Sequence, residues 1–181
     1  MAGWKVFILA GVVSAPSAEQ AGVPTISYRN DIVPVLTRAG CNLGSCHGAQ
    51  TGKGRLTLSL RGEDPVKDHA TLVKTFLQPG DSRESLMLRK ATRQIPHEGG
   101  ERFRTNSEMH RLLADWIDEG APLEVPDEPR IVGLEVRPAE KVVFAPATTT
   151  RITVTANFSD GSKRDVNRWA IYEPTTLNVE V

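Results

Sequence analysis

Apolar residues run without interruption from Val6 to Val13, recur at helical intervals between residues 30 and 120, and alternate with polar ones beyond Arg130. The clearest helical stripe is Met109, Leu112, Leu113, Trp116 and Ile117, which occupy i, i+3, i+4, i+7 and i+8 of one face. Thr105 and Glu108 ahead of it have the spacing of a capping box, and Gly120 behind it is a stop. A second helix is predicted from Asp64 as cap and Pro65 at the first position, with Val66, Ala70, Val73 and Leu77 on its apolar face and Pro79 as its end. An earlier one is capped by Asn30 or Asp31, tolerates Pro34 in its first turn and runs to Gly40. A shorter helix covers Ser82 to Lys90, and the alternation of Leu56, Leu58 and Leu60 predicts an extended excursion between the first two helices.

The period then changes. "GAPLEVPDEPR", from Gly120 to Arg130, holds three prolines and four charges, a composition that predicts an exposed linker. In "RITVTANF" Ile152, Val154, Ala156 and Phe158 share one face of a strand, and the following Asp160-Gly161 suits a two-residue hairpin turn. Shorter strands are predicted at Ile131–Val136, Val142–Phe144, Ser162–Val166 and Thr176–Val181. Five strands are fewer than the seven or so of an immunoglobulin-type sandwich. With the alternation still running at Val181, the chain is expected to be the first part of a longer protein.

Charge and the N-terminal run narrow the function classes. The run from Val6 to Val13 follows a single Lys5 and precedes small residues, the layout of a secretory signal peptide over residues 1–18, and it is too short to span a bilayer. Cleavage after Ser17 fits a small-x-small rule, and retention as an uncleaved anchor is the alternative. A periplasmic, secreted or cell-surface location follows, with no membrane span beyond the signal. The 22 basic and 22 acidic residues balance, and no basic stretch is present, which argues against a nucleic-acid partner. There is no G-x-S-x-G, no phosphate-cradling glycine loop at the right spacing, and no recognisable pair of catalytic carboxylates, so nothing marks the chain as an enzyme.

All cysteines and histidines lie between residues 41 and 110, and both cysteines fall in "GCNLGSCHG", Gly40 to Gly48. A C-x-x-C-H motif attaches c-type haem through two thioethers, with the histidine on the iron. Here the spacing is C-x4-C-H, so two extra residues have to bulge outward, with Gly44 giving the loop its freedom. Two other readings stand beside haem. An oxidising compartment allows a Cys41–Cys46 disulfide, which explains the pair but not the adjacent His47; at average composition a histidine follows a given cysteine in roughly one case in forty. A zinc site would need a second ligand pair. "GAQTGKGR" after the motif reads as a flexible basic turn, with Lys53 or Arg55 close to a haem edge or carboxylate.

"DIVPVLTRAGCNLGSCHGAQTGKGRLTLSLRGEDP", "SLMLRK", "IPHEGGERF" and "LLADWIDEGAP" together resemble the planctomycete-type cytochrome c domain, over residues 27–122. After a linker at 123–130, "LEVRPAE" through "ITVTANFSDGSKRDV" is similar to a bacterial Ig-like domain of group 2, here incomplete over 131–181. The resemblance implies a two-domain chain, a mainly α cytochrome c-like domain followed by an all-β immunoglobulin-like sandwich. It implies that Cys41 and Cys46 are the attachment thiols for haem c and His47 the proximal iron ligand. The implied function is electron transfer, to an unidentified redox partner or to further domains of the same chain.

For the sixth position, such domains often carry a Met-Pro pair before the last helix. This chain has Ile95-Pro96 there, with His97 following in a loop that Gly99 and Gly100 make flexible, so His97 is the preferred second metal ligand and Met87 its main rival. His69, flanked on its helix by Leu72 and Phe76, reads as a core histidine, Met109 as core, and His110 as facing solvent. A second strong ligand limits the site to electron transfer, whereas an open position would allow peroxidase-like chemistry. The alternative to the whole reading is a disulfide-stabilised Ig-like scaffold of a cell-surface protein, without haem.

Overall fold

The computed structural model describes residues 25–48, 52–142 and 149–173. The signal segment, Val143–Phe144 and Thr176–Val181 lie outside the described residues. Among these residues no helix is long and apolar enough to cross a membrane.

Four helices, α1 (Val33–Arg38), α2 (Pro65–Thr75), α3 (Leu86–Ala91) and α4 (Glu108–Asp118), pack around one core. A π-helical turn, Tyr28–Ile32, leads into α1. Its cap is Ser27, whose side chain accepts from the Asn30 N–H, and not Asn30 or Asp31 as the sequence suggests. Helix α4 likewise has a different cap, the residue just before Glu108: Asn106 turns through a positive φ of 64°, which breaks the expected Thr105–Glu108 box, and Ser107 caps the His110 N–H instead. Asp64 and Pro65 begin α2 as predicted. Of the face expected for α2, Leu77 is buried and Val73 packs against the core, but Val66 and Ala70 are exposed, and Asp68, Leu72 and Phe76 are buried in their stead. Asp68 is tolerated there because its carboxylate accepts from the Ser59 N–H (2.6 Å) and hydroxyl (2.7 Å). The Ser82–Lys90 segment is a 3₁₀ turn, Ser82–Glu84, followed by α3.

At the centre, Trp116 and Tyr28 are fully buried with rings 5.3 Å apart, and the Trp116 indole donates to the Pro122 carbonyl at 3.0 Å. That bond, with Asn30 donating to the Pro129 carbonyl at 2.8 Å, lays parts of the proline-rich 120–130 segment against the helices.

Three antiparallel strands follow, in the order β1 (Ile131–Arg137), β2 (Thr153–Phe158) and β3 (Lys163–Asp165). Val154, Ala156 and Phe158 on β2 are buried, as their alternation predicts, while Ile152 stays outside the strand. The hairpin between β2 and β3 uses three loop residues, not two. Only Gly161 takes a positive φ (+83°), closing a turn from its N–H to the Phe158 carbonyl, and Asp160 accepts from the Ser162 N–H and hydroxyl. Arg164 joins the sheet to the helices through the Asp31 carboxylate (2.6 Å) and the Asn30 carbonyl (3.1 Å).

Candidate functional site

Helix α1 ends in a way that fixes the first cysteine. Gly40 adopts φ +78° and its N–H bonds the Thr37 carbonyl at 2.9 Å, while the Cys41 N–H bonds the Leu36 carbonyl at 2.8 Å, the paired closure of a Schellman motif. The chain then doubles back. Cys46 and Gly48 donate to the Leu43 carbonyl (2.9 and 3.0 Å), and His47 donates to the Cys41 carbonyl at 3.0 Å, so the histidine backbone returns to the first cysteine. Asn42 lies inside the loop, almost completely buried, with its side-chain N–H on the Thr37 hydroxyl at 2.9 Å. Gly44 and Ser45 form the outward bulge, but Gly44 keeps an ordinary φ and meets nothing closer than Leu60 at 3.9 Å. The glycine this loop requires is Gly48, where a Cβ would stand 2.0 Å from the Asn42 carbonyl oxygen.

Both cysteines are free thiols. Burial pushes the Cys41 thiol up to about 11, against the pull of the Arg102 guanidinium. The His47 imidazole is pushed below its usual value, by burial first, with the Lys53 and Leu56 carbonyls opposing.

Those carbonyls also set the tautomer. His47 Nδ1 lies 2.9 Å from the Lys53 oxygen and 3.3 Å from that of Leu56. A carbonyl only accepts, so Nδ1 carries the proton and Nε2 keeps its lone pair. His97 repeats the arrangement with Nδ1 at 2.8 Å from the Gly100 carbonyl. Its loop is fixed by more than that bond: the Gly100 N–H returns to the His97 carbonyl at 2.9 Å, and a Cβ on Gly99 would stand 2.9 Å from the His97 ring. The glycines expected to loosen this loop instead give the ring its seat.

The two imidazoles lie 6.4 Å apart between centroids, with planes only 10° from parallel. They line a common cleft of about 880 Å³ with both cysteines, over an apolar wall that includes Leu36, Leu72, Phe76 and Ile95. Met87 reaches the same cleft but is 8% exposed, held in the core by α3. His69 is turned away, with Nε2 on the Ala121 carbonyl at 2.7 Å and its ring edge-on to Tyr28. His110 does not line the cleft, and its Nδ1 is buried without a partner rather than facing solvent. No group of three or more His, Cys, Asp or Glu side chains is placed to hold a bare ion among the described residues.

One residue that the sequence reading passed over spans the site. Arg102 donates through Nε to the Ala39 carbonyl at 2.7 Å, next to the cysteine loop, and through Nη1 to the Gly99 carbonyl at 3.3 Å, in the His97 loop. Gly40 faces it: its φ of +78° favours glycine, and a Cβ there would also lie 2.5 Å from Nη2 and push the guanidinium aside. An arginine in a loop has no sequence signature for such a role. Comparison of the chain with protein-family models, with curated proteins and with solved structures returns no match.

Proposed function

We propose that this chain is the haem c-binding, electron-transferring part of an exported protein, in which a cytochrome c-like helical domain precedes an Ig-like sandwich. Cys41 and Cys46 would be the attachment thiols for haem, and His47 and His97 would hold its iron. The observation that carries this reading is the pair of near-parallel imidazoles, each with Nδ1 on a carbonyl, lining one cleft with both thiols.

The dimensions support it. The two ring centroids are 6.4 Å apart, which would leave room for one metal between them at metal–nitrogen bonds of about 2 Å. A bare ion needs three or four protein donors, whereas a tetrapyrrole supplies four nitrogens and needs only two more. When bound, haem supplies one-electron redox chemistry. The chain's part is to orient both imidazoles, to keep water off one face with the apolar wall, and to hold Nδ1 protonated at each histidine. A second imidazole in place of a thioether favours a low potential and leaves no position for a small substrate, so the proposal is transfer without catalysis.

The test is haem staining of the denatured, purified chain after export alongside the thioether-forming machinery. Thioether-bound haem survives denaturation, and a colourless band of the expected mass would refute the assignment. His97→Ala should shift the visible spectrum while Met87→Leu leaves it unchanged.

A further inference from the structure

We infer that the cleft captures an anionic metalloporphyrin reversibly without either thiol, so that binding of the tetrapyrrole is a separate activity that comes before thioether formation. This rests on the proposed function for the identity of the ring system, but not on the covalent step.

The imidazoles owe their positions to backbone contacts in which no thiol takes part. His47 is set by the Lys53 and Leu56 carbonyls, and its backbone is pinned by the Leu58 N–H on its own carbonyl at 2.8 Å. His97 is set by the Gly100 carbonyl and the close approach of Gly99. The Cys46 sulfur, by comparison, has among the described residues only the Ser45 hydroxyl at 4.0 Å, and Cys41 is fixed through its main chain by the end of α1. Removing both sulfurs therefore leaves the two nitrogen donors where they are. Ligand groups held in place by their own scaffold lose little freedom on binding, which is the condition for affinity without a covalent tether. The apolar wall, and a volume of about 880 Å³ within the ordinary range of ligand sites, supply the rest.

Charge selects the form of the ligand. Lys53, Lys90, Arg93 and Arg102 line the cleft and, among the described residues, Glu98 is the one acid that does, in a chain whose 22 basic and 22 acidic residues balance overall. Among the described residues none of these four cations forms an ion pair. Lys90 and Arg102 are bound to neutral carbonyls, of Pro96 and of Ala39 and Gly99, which leaves their charge uncompensated. An excess of positive charge around an apolar slot suits a flat ligand that carries carboxylates at its edge.

The experiment uses the whole chain with Cys41→Ala and Cys46→Ala, titrated with ferric protoporphyrin and, separately, with its dimethyl ester, followed by absorbance and by quenching of tryptophan emission. The expected result is one equivalent bound with a six-coordinate, low-spin spectrum. His47→Ala or His97→Ala on that background should weaken binding by about 10–100-fold or more. The diester should bind about tenfold more weakly at low salt, and the gap should narrow near 0.5 M salt. If the alanine pair loses its urea transition, the natural chain with both thiols blocked by iodoacetamide serves instead. Absence of saturable binding overturns the inference, as does binding indifferent to both histidines. Equal affinity for acid and diester overturns the charge selection. A thiol-less chain that binds while the natural one never retains haem after denaturation would sink the covalent proposal and leave this one standing; covalent loading without reversible binding would do the reverse.

Discussion

Replacing Gly48 with alanine should cost far more than replacing Gly44, although both lie in the same nine-residue loop. At Gly48 the new Cβ would be 2.0 Å from the Asn42 carbonyl oxygen, 2.6 Å from its carbon and 3.0 Å from the Leu43 carbonyl carbon. These atoms are backbone, and Asn42 is buried, so no side-chain rotation relieves the clash. Restoring an ordinary carbon–oxygen contact of about 3.3 Å requires a shift of about 1.3 Å. A movement of that size breaks the bonds from Gly48 to Leu43 and from His47 to Cys41. At about 1 kcal/mol for each lost bond and about 1–3 kcal/mol for the overpacking, the total is about 3–5 kcal/mol, a large share of the roughly 5–15 kcal/mol that stabilises a typical domain. Gly44→Ala meets only Leu60 at 3.9 Å and keeps an ordinary φ, so it should be neutral or stabilising by about 0.4–1 kcal/mol. Urea unfolding followed by tryptophan emission, with retained haem measured on denatured samples, checks both. A Gly48→Ala chain within about 0.5 kcal/mol of the parent and fully loaded would refute the steric argument.

Gly99→Ala places a methyl 2.9 Å from the His97 ring; if haem is held as proposed, covalent haem content should be unchanged, since Cys41 and Cys46 are untouched, while the low-spin spectrum gives way to a high-spin fraction, and an unaltered spectrum would count against His97. Cys41, with its thiol pushed up to about 11, holds its proton more tightly folded than unfolded; stability from this group is therefore complete below about 9, the ordinary thiol value, and is lost as pH rises through about 11. In the haem-free chain its alkylation, mapped by peptide mass, should accelerate only above about pH 9, and rapid labelling at pH 7.5 would contradict the burial. Tyr28→Phe removes a buried hydroxyl that has no partner among the described residues, so it should leave the urea midpoint unchanged or raise it slightly; a loss above about 1.5 kcal/mol would mean the hydroxyl is bonded after all.

Where sequence and structure agree, a single local rule decides the outcome. Asp64-Pro65 starts α2 because both the cap and the missing proline N–H act within one turn. Gly120 ends α4, with φ +96°, for a similarly local reason, and the alternation of "RITVTANF" survives because β2 is paired on both sides. The misreadings share a cause, namely that a distant partner outranks the local pattern. The inward face of α2 was hidden because its first buried residue is Asp68, whose partner, Ser59, is not in the helix. Ser27 and Ser107 displace Asn30 and Thr105 as caps because the turn ahead of each helix, including the positive φ at Asn106, decides which oxygen faces the free N–H groups.

The candidate site divides along the same line. Cys41, Cys46 and His47 stand out as candidates because they fall within seven residues of one another, and His97 stands out only as a residue type that could ligate. What brings His97 near His47 is a set of contacts between segments some fifty residues apart in sequence, in which the acceptors are backbone carbonyls. Arg102 concentrates this, since one guanidinium holds both the helix end before Cys41 and the turn after His97. Shortening it to alanine removes both bonds at once and leaves every candidate ligand and thiol present. If the two loops depend on that strap, Arg102→Ala should lower the affinity for ferric protoporphyrin and broaden the low-spin spectrum, and Arg102→Lys, which restores the charge and one bond, should recover part of each. If lysine gives no recovery but alanine perturbs only the urea midpoint, the strap is structural and the two ligand loops are positioned independently.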